Sequence, residues 1–140
     1  MGTKANEYII DDGKKEYFLK NKGGEIVAQF SFNPSDTGVS SRYKAVVDYI
    51  NNYKIDENAD AAETLDKLNN DLMEQVDYMF YGNIAKDLFA KLKPCSLVSN
   101  GDFFYEVAME AIAKFIENET GERMNKKLKK ISKYTEKYHN

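Results

Sequence analysis

Glu25-Ile26-Val27-Ala28-Gln29-Phe30-Ser31-Phe32-Asn33-Pro34-Ser35-Asp36 decides the fold. Ile26, Ala28, Phe30 and Phe32 alternate with Val27, Gln29 and Ser31, the period of a strand with one buried face. Pro34 lacks a backbone donor and forces Asn33 into extended geometry, so the strand stops there. Upstream, Asn21-Lys22-Gly23-Gly24 reads as a turn and Tyr17-Phe18-Leu19 as a second strand. Further back, Glu7-Tyr8-Ile9-Ile10 is β-prone, and Asp11-Asp12-Gly13 is a hairpin signal because glycine takes positive φ cheaply. The expectation is a small N-terminal antiparallel sheet of two to three strands within residues 7–32. So small a sheet is marginal alone and needs helices over its apolar face.

Those helices follow, within residues 38–119. Val39, Tyr43, Val46, Val47, Ile50 and Tyr53 line one helical stripe. A polar connector over residues 54–60 leads to Asp60, an N-cap candidate, with Glu63 completing a capping-box-like pattern. Leu65, Leu68, Leu72, Val76, Met79 and Phe80 make an amphipathic helix over about 61–81, broken by Gly82-Asn83. Ile84, Leu88, Phe89 and Leu92 mark a short helix over 84–92, and residues 94–101 a loop. Asp102 is read as the cap of a helix reaching Glu119, its core face Phe103, Phe104, Val107, Ala108, Ala111, Ile112, Phe115 and Ile116. Thr120-Gly121 reads as a stop or kink. A last helix from about Glu122 spaces Met124, Leu128, Ile131, Thr135 and Tyr138. The class is α+β, with four to five mostly packed helices: one domain over 1–121 and a basic C-terminal helix over 122–140, free to project.

Charge sharpens that division. The formal net charge of the 140 residues is −3. Residues 122–140 hold Arg123, Lys126, Lys127, Lys129, Lys130, Lys133 and Lys137 against Glu122 and Glu136, a net of +5, which leaves −8 for the rest. Such asymmetry reads as a basic arm on an acidic body. The acidic body argues against nucleic acid as partner of the whole domain. Candidate partner-binding residues are Arg123, Lys126, Lys127, Lys129, Lys130, Lys133, Tyr134 and Tyr138. The two tyrosines interleave with lysines, a pattern that stacks on bases, but tyrosines more often pack with their hydroxyls in water.

The sequence offers no catalytic constellation. The single histidine, His139, stands next to last, and the single cysteine, Cys95, sits beside Pro94 with no base near in sequence. Asp56, Asn58 and Asp60 mimic a calcium loop, but Ala61 stands where glycine is required and Lys67 where a bidentate glutamate belongs. Glu106 and Glu110 share a helix face without the histidine of a di-metal motif. Gly23-Gly24 is a turn, with no Gly-Lys-Ser/Thr to make a phosphate loop. Asn118-Glu119-Thr120 matches a glycosylation sequon, but Met1 to Asn6 has no apolar stretch of a secretory signal. No apolar run nears the roughly 20 residues of a membrane span. The expectation is a cytoplasmic, non-enzymatic protein with no cofactor and no metal.

The order of segments carries a resemblance over residues 25–140. Phe30-Ser31-Phe32-Asn33-Pro34-Ser35-Asp36 closes the sheet, Arg42-Tyr43 opens a helix, and Asp77-Tyr78-Met79-Phe80 ends the next. Leu92-Lys93-Pro94-Cys95-Ser96, Gly101-Asp102-Phe103-Phe104 and Lys130-Ile131-Ser132-Lys133-Tyr134-Thr135-Glu136-Lys137-Tyr138 follow. The chain resembles the tail assembly chaperones of long-tailed phages and prophages of Gram-positive bacteria. The resemblance implies a non-enzymatic protein that coats the tape measure protein in the bacterial cytoplasm, associates with other copies of itself as a homo-oligomer, and is absent from the mature virion. Some members of that family also have a longer, frameshifted form. The alternative reading is a small phage-encoded regulator or inhibitor that binds nucleic acid, or a host nucleic-acid enzyme, through the basic C-terminal helix.

Overall fold

The computed structural model describes the backbone of residues 6–138, and their side chains apart from residues 122–125, 127–128 and 131–138. Two strands, β1 (Lys15–Lys20) and β2 (Ile26–Phe32), form an antiparallel hairpin. Four helices follow: α1 (Thr37–Asn51), α2 (Ala61–Phe80), α3 (Ile84–Leu88) and α4 (Phe104–Tyr138). The fold is α+β, as the sequence predicts.

The hairpin is set at its turn. Asn21 bonds Glu25 through both its backbone N–H and its side-chain carbonyl, and Gly24 takes φ +83°, where a side chain would be strained. The register pairs Tyr17 with Phe30 and Leu19 with Ala28, then slips so that Lys20 faces Ile26. That irregularity leaves Ile26 partly exposed, while Ala28, Phe30 and Phe32 are buried as the alternation requires.

The third strand does not form: residues 7–10 are unpaired among the described residues. Tyr8, Ile9 and Ile10 are 90%, 82% and 73% exposed. Asp11-Asp12-Gly13 is instead a local knot. The two carboxylates accept from the N–H groups of Gly13 and Lys14, and the Asn33 side-chain amide donates to the Asp12 carbonyl.

Aromatic rings join the helices to the sheet's inner face. Tyr17 stacks on Phe115 of α4 with centroids 4.4 Å apart, and Phe32 meets Phe80 of α2 at 4.8 Å. Val39 and Val46 of α1, and Leu68, Leu72, Val76 and Met79 of α2, complete the core. Val47 and Leu65, expected in the stripes, are partly exposed. α1 starts where Asp36 accepts from the Gly38 N–H. At α2 the Asp60 backbone is extended, but its carboxylate makes no cap bond; the Thr64 hydroxyl and N–H both donate to the Asp60 carbonyl instead.

Arg42 ties α1 to the end of α2. Its Nε donates to the Met79 carbonyl at 2.7 Å, its Nη2 pairs with Asp36 at 3.0 Å, and its guanidinium lies 3.9 Å over the Tyr81 ring. Tyr81 itself sits in the left-handed region at φ +53°, with Tyr81 N–H and Gly82 N–H closing on Tyr78 and Asp77. This is a Schellman ending built on a tyrosine. Asp77 then accepts from the Ala85 N–H and starts α3. α3 ends at Leu88, short of the expected Leu92, and Lys91 caps the carbonyl of Ile26 on β2.

Candidate functional site

α4 carries the candidate site, and its first half shows how it is held. Phe104, Tyr105, Ala108, Met109 and Ile112 are buried, with Phe115 and Ile116 packed beside them. Inclusion of Tyr105 and Met109 rotates the core face slightly from the expected stripe. Burial pushes the Tyr105 phenol up from its ordinary range. The helix begins two residues after Asp102, which is not its cap. Phe104 and Tyr105 N–H groups donate to the Ser96 and Pro94 carbonyls at 2.7 and 2.9 Å, and Glu106 accepts from the Phe103 N–H. The loop backbone thus satisfies donors that every helix start leaves open.

Thr120-Gly121 does not end the helix. The Thr120 hydroxyl donates to the Ile116 carbonyl, and Gly121 is not among the positive-φ glycines. A glycine inside a helix costs only about 1 kcal/mol relative to alanine, which an otherwise helical run absorbs. Lys15 of β1 reaches Glu119 at 2.6 Å just before this point. α4 therefore spans 35 residues, about 50 Å at roughly 1.5 Å per residue, and the boundary expected at residue 121 falls within one element.

Beyond Gly121 the character of the helix changes. Lys126, Lys129 and Lys130 are exposed. Lys126 and Lys130 follow the buried Ala108 and Ile112 by about five turns at roughly 3.6 residues per turn. The side of α4 that faces the core in its first half is thus basic in its second half. Arg123, Lys127, Lys133, Tyr134 and Tyr138 stand on the same helix, but their side chains lie outside the described residues, as do His139 and Asn140.

Other sequence candidates resolve simply. Cys95 is half-buried, its N–H held by the Asn69 side chain at 2.8 Å. Burial pushes its thiol up, which disfavours the reactive thiolate. Among the described residues no group of three acidic, histidine or cysteine side chains is placed to hold a metal, and no helix is long and apolar enough to cross a membrane.

Three features escape a sequence reading. One is the exposed Tyr8-Ile9-Ile10 arm, which has the same consecutive apolar pattern as the paired Tyr17-Phe18-Leu19, so no local signal separates the two. Another is a groove of about 720 Å³ at the turn end of the hairpin, between Phe18, Val27, Val98 and Val107. Its walls come from three separate segments, so no local pattern announces it. The third is Tyr53, whose hydroxyl donates to Asp71 at 2.8 Å. That hydrogen bond, with desolvation and the carboxylate's charge, pushes the phenol up to about 12.

No protein-family profile, curated protein or solved structure matches this chain.

Proposed function

We propose that this protein is a non-enzymatic assembly chaperone of phage tails, which binds the tape measure protein and further copies of itself through the basic end of α4. The observation that carries this reading is the continuity of α4. One helix is anchored in the core by Phe104, Ala108 and Ile112, and it presents Lys126 and Lys130 on the same side farther along. A helix so anchored offers a long, basic, pre-formed surface to a helical client. The acidic body supplies a counterpart on a neighbouring copy: Asp56, Glu57, Asp60, Glu63 and Asp66 are exposed, with no basic residue among positions 56–66. Contact of one copy's basic helix with the next copy's acidic end is heterologous and propagates along a client instead of closing. The resemblance of the segments from Phe30 to Tyr138 supplies the client's identity.

Co-expression tests the proposal. The chain is made together with a phage tape measure protein, and the soluble fraction is compared with and without it. The expected result is a soluble complex that weakens as salt rises and is lost in the Lys126→Glu/Lys129→Glu/Lys130→Glu variant. An equally insoluble tape measure protein in both cases overturns the reading. A salt-dependent gel shift with nucleic acid, abolished by the same variant, would favour the regulator instead.

A further inference from the structure

The apolar arm and the apolar groove fit each other chemically, and they lie at opposite ends of one sheet. The arm, Asn6-Glu7-Tyr8-Ile9-Ile10-Asp11-Asp12, has three exposed apolar side chains flanked by three acids and no base. The groove has apolar walls from Phe18, Val27, Val98 and Val107, and its rim carries Lys20 and Lys22 but no acidic residue. Its volume of about 720 Å³ lies within the range of sites that enclose a ligand of several side chains' size. Phe18 points away from the core and is 41% exposed, so the groove has an apolar floor awaiting cover.

The arm cannot place all three of its apolar residues in the groove of its own chain. Its root is fixed by the Asn33 side chain, which bonds the Asp12 carbonyl just past Phe32. From Phe32 back to Val27 is five residues of strand, about 16 Å at roughly 3.3 Å each. From Asp12, Ile10 reaches at most about 7 Å, Ile9 about 11 Å and Tyr8 about 14 Å. While the Asp12–Asn33 bond stands, Ile9 and Ile10 fall short of Val27 in their own chain, and only the Tyr8 ring comes near it.

We infer that Tyr8-Ile9-Ile10 of one copy docks in the Phe18–Val98 groove of a second copy, with Glu7, Asp11 and Asp12 meeting Lys20 and Lys22. Each copy gives an arm at one end of its hairpin and receives one at the other, so the contact is head-to-tail. It uses a surface separate from the basic end of α4, and it stands whether or not that end binds a client.

Complementary full-length variants test the pairing. Ile9→Asp/Ile10→Asp spoils the arm and leaves the groove intact. Lys20→Glu/Lys22→Glu/Val98→Glu spoils the groove and leaves the arm intact. In a Lys126→Glu/Lys129→Glu/Lys130→Glu background, which removes the α4 contact, light scattering after gel filtration should show the parent growing in mass with concentration and the arm variant monomeric with an unchanged melting temperature. The arm variant mixed with the groove variant should give a one-to-one dimer that grows no further. A labelled peptide of residues 6–12 should bind the arm variant, and at least tenfold more weakly the Lys20→Glu/Lys22→Glu variant carrying the same arm changes. This second comparison holds even if Val98→Glu disturbs the fold. A monomeric parent in that background, or an arm variant that associates as that parent does, overturns the inference. So does a peptide that binds both receivers equally or neither.

Discussion

Substituting Gly121 separates two pictures of α4 by the sign of one effect. If Gly121 were a left-handed helix end, alanine there would cost about 1 kcal/mol, because a Cβ is strained at positive φ. Here Gly121 lies inside the helix, without positive φ, and a Cβ added to it meets no atom within 4 Å. Gly121→Ala should therefore stabilise the local helix by roughly 0.5–1 kcal/mol, the propensity difference. Gly121→Pro should cost about 3 kcal/mol or more, since proline removes a hydrogen bond and clashes with the preceding turn. The segment beyond the glycine, Gly121 to Tyr138, is about 26 Å of helix at roughly 1.5 Å per residue. Loss of its order would show as reduced helical circular dichroism, while the core, closed before this point by Phe115 and Ile116, should melt nearly unchanged. Circular dichroism over a temperature ramp, with urea titration of the same samples, reads both quantities. Reduced helicity in Gly121→Ala, or unaltered helicity in Gly121→Pro, would refute a continuous α4.

Arg42→Ala should destabilise by about 3 kcal/mol, measured by urea unfolding. A charged hydrogen bond to the buried Met79 carbonyl accounts for roughly 1.5–3 kcal/mol, and the exposed Asp36 pair and Tyr81 stacking for up to about 1 kcal/mol each. A loss under about 1 kcal/mol would show that this link between α1 and α2 is idle. Tyr53 ionises near pH 12 in the folded chain against 10 for the free phenol. Its contribution is thus complete below pH 10 and disappears as pH climbs towards 12. Asp71→Asn, followed by ultraviolet titration of the phenol, should bring the ionisation down towards 10; an unmoved curve would mean the hydrogen bond does not set it.

The parts of the fold legible in the sequence are those where one local pattern meets one neighbour. Ala28, Phe30 and Phe32 are buried because their alternation puts all three on the covered face of a hairpin. Leu68, Leu72, Val76 and Met79 are buried because their spacing makes one stripe. Errors fall where tertiary partners decide. Asp102 is a good cap by residue type, yet the carbonyls of Pro94 and Ser96 take the donors it would have satisfied. Thr120-Gly121 is a good stop by residue type, but its flanking residues continue the helix. Tyr8-Ile9-Ile10 has the same apolar run as Tyr17-Phe18-Leu19, which pairs, so only the presence of a partner strand separates them. Arg42 carries no local signal at all, because its three partners come from positions 36, 79 and 81. The basic end of α4 was legible as charge, whereas its alignment with Ala108 and Ile112 required the unbroken helix.

Backbone amide hydrogen exchange along α4, with and without the tape measure protein, addresses the binding role most directly. The account predicts slower exchange in residues 122–138 once that protein is added, with residues 104–118 unchanged because the core already protects them. Protection confined to other parts of the chain, or none, would contradict it.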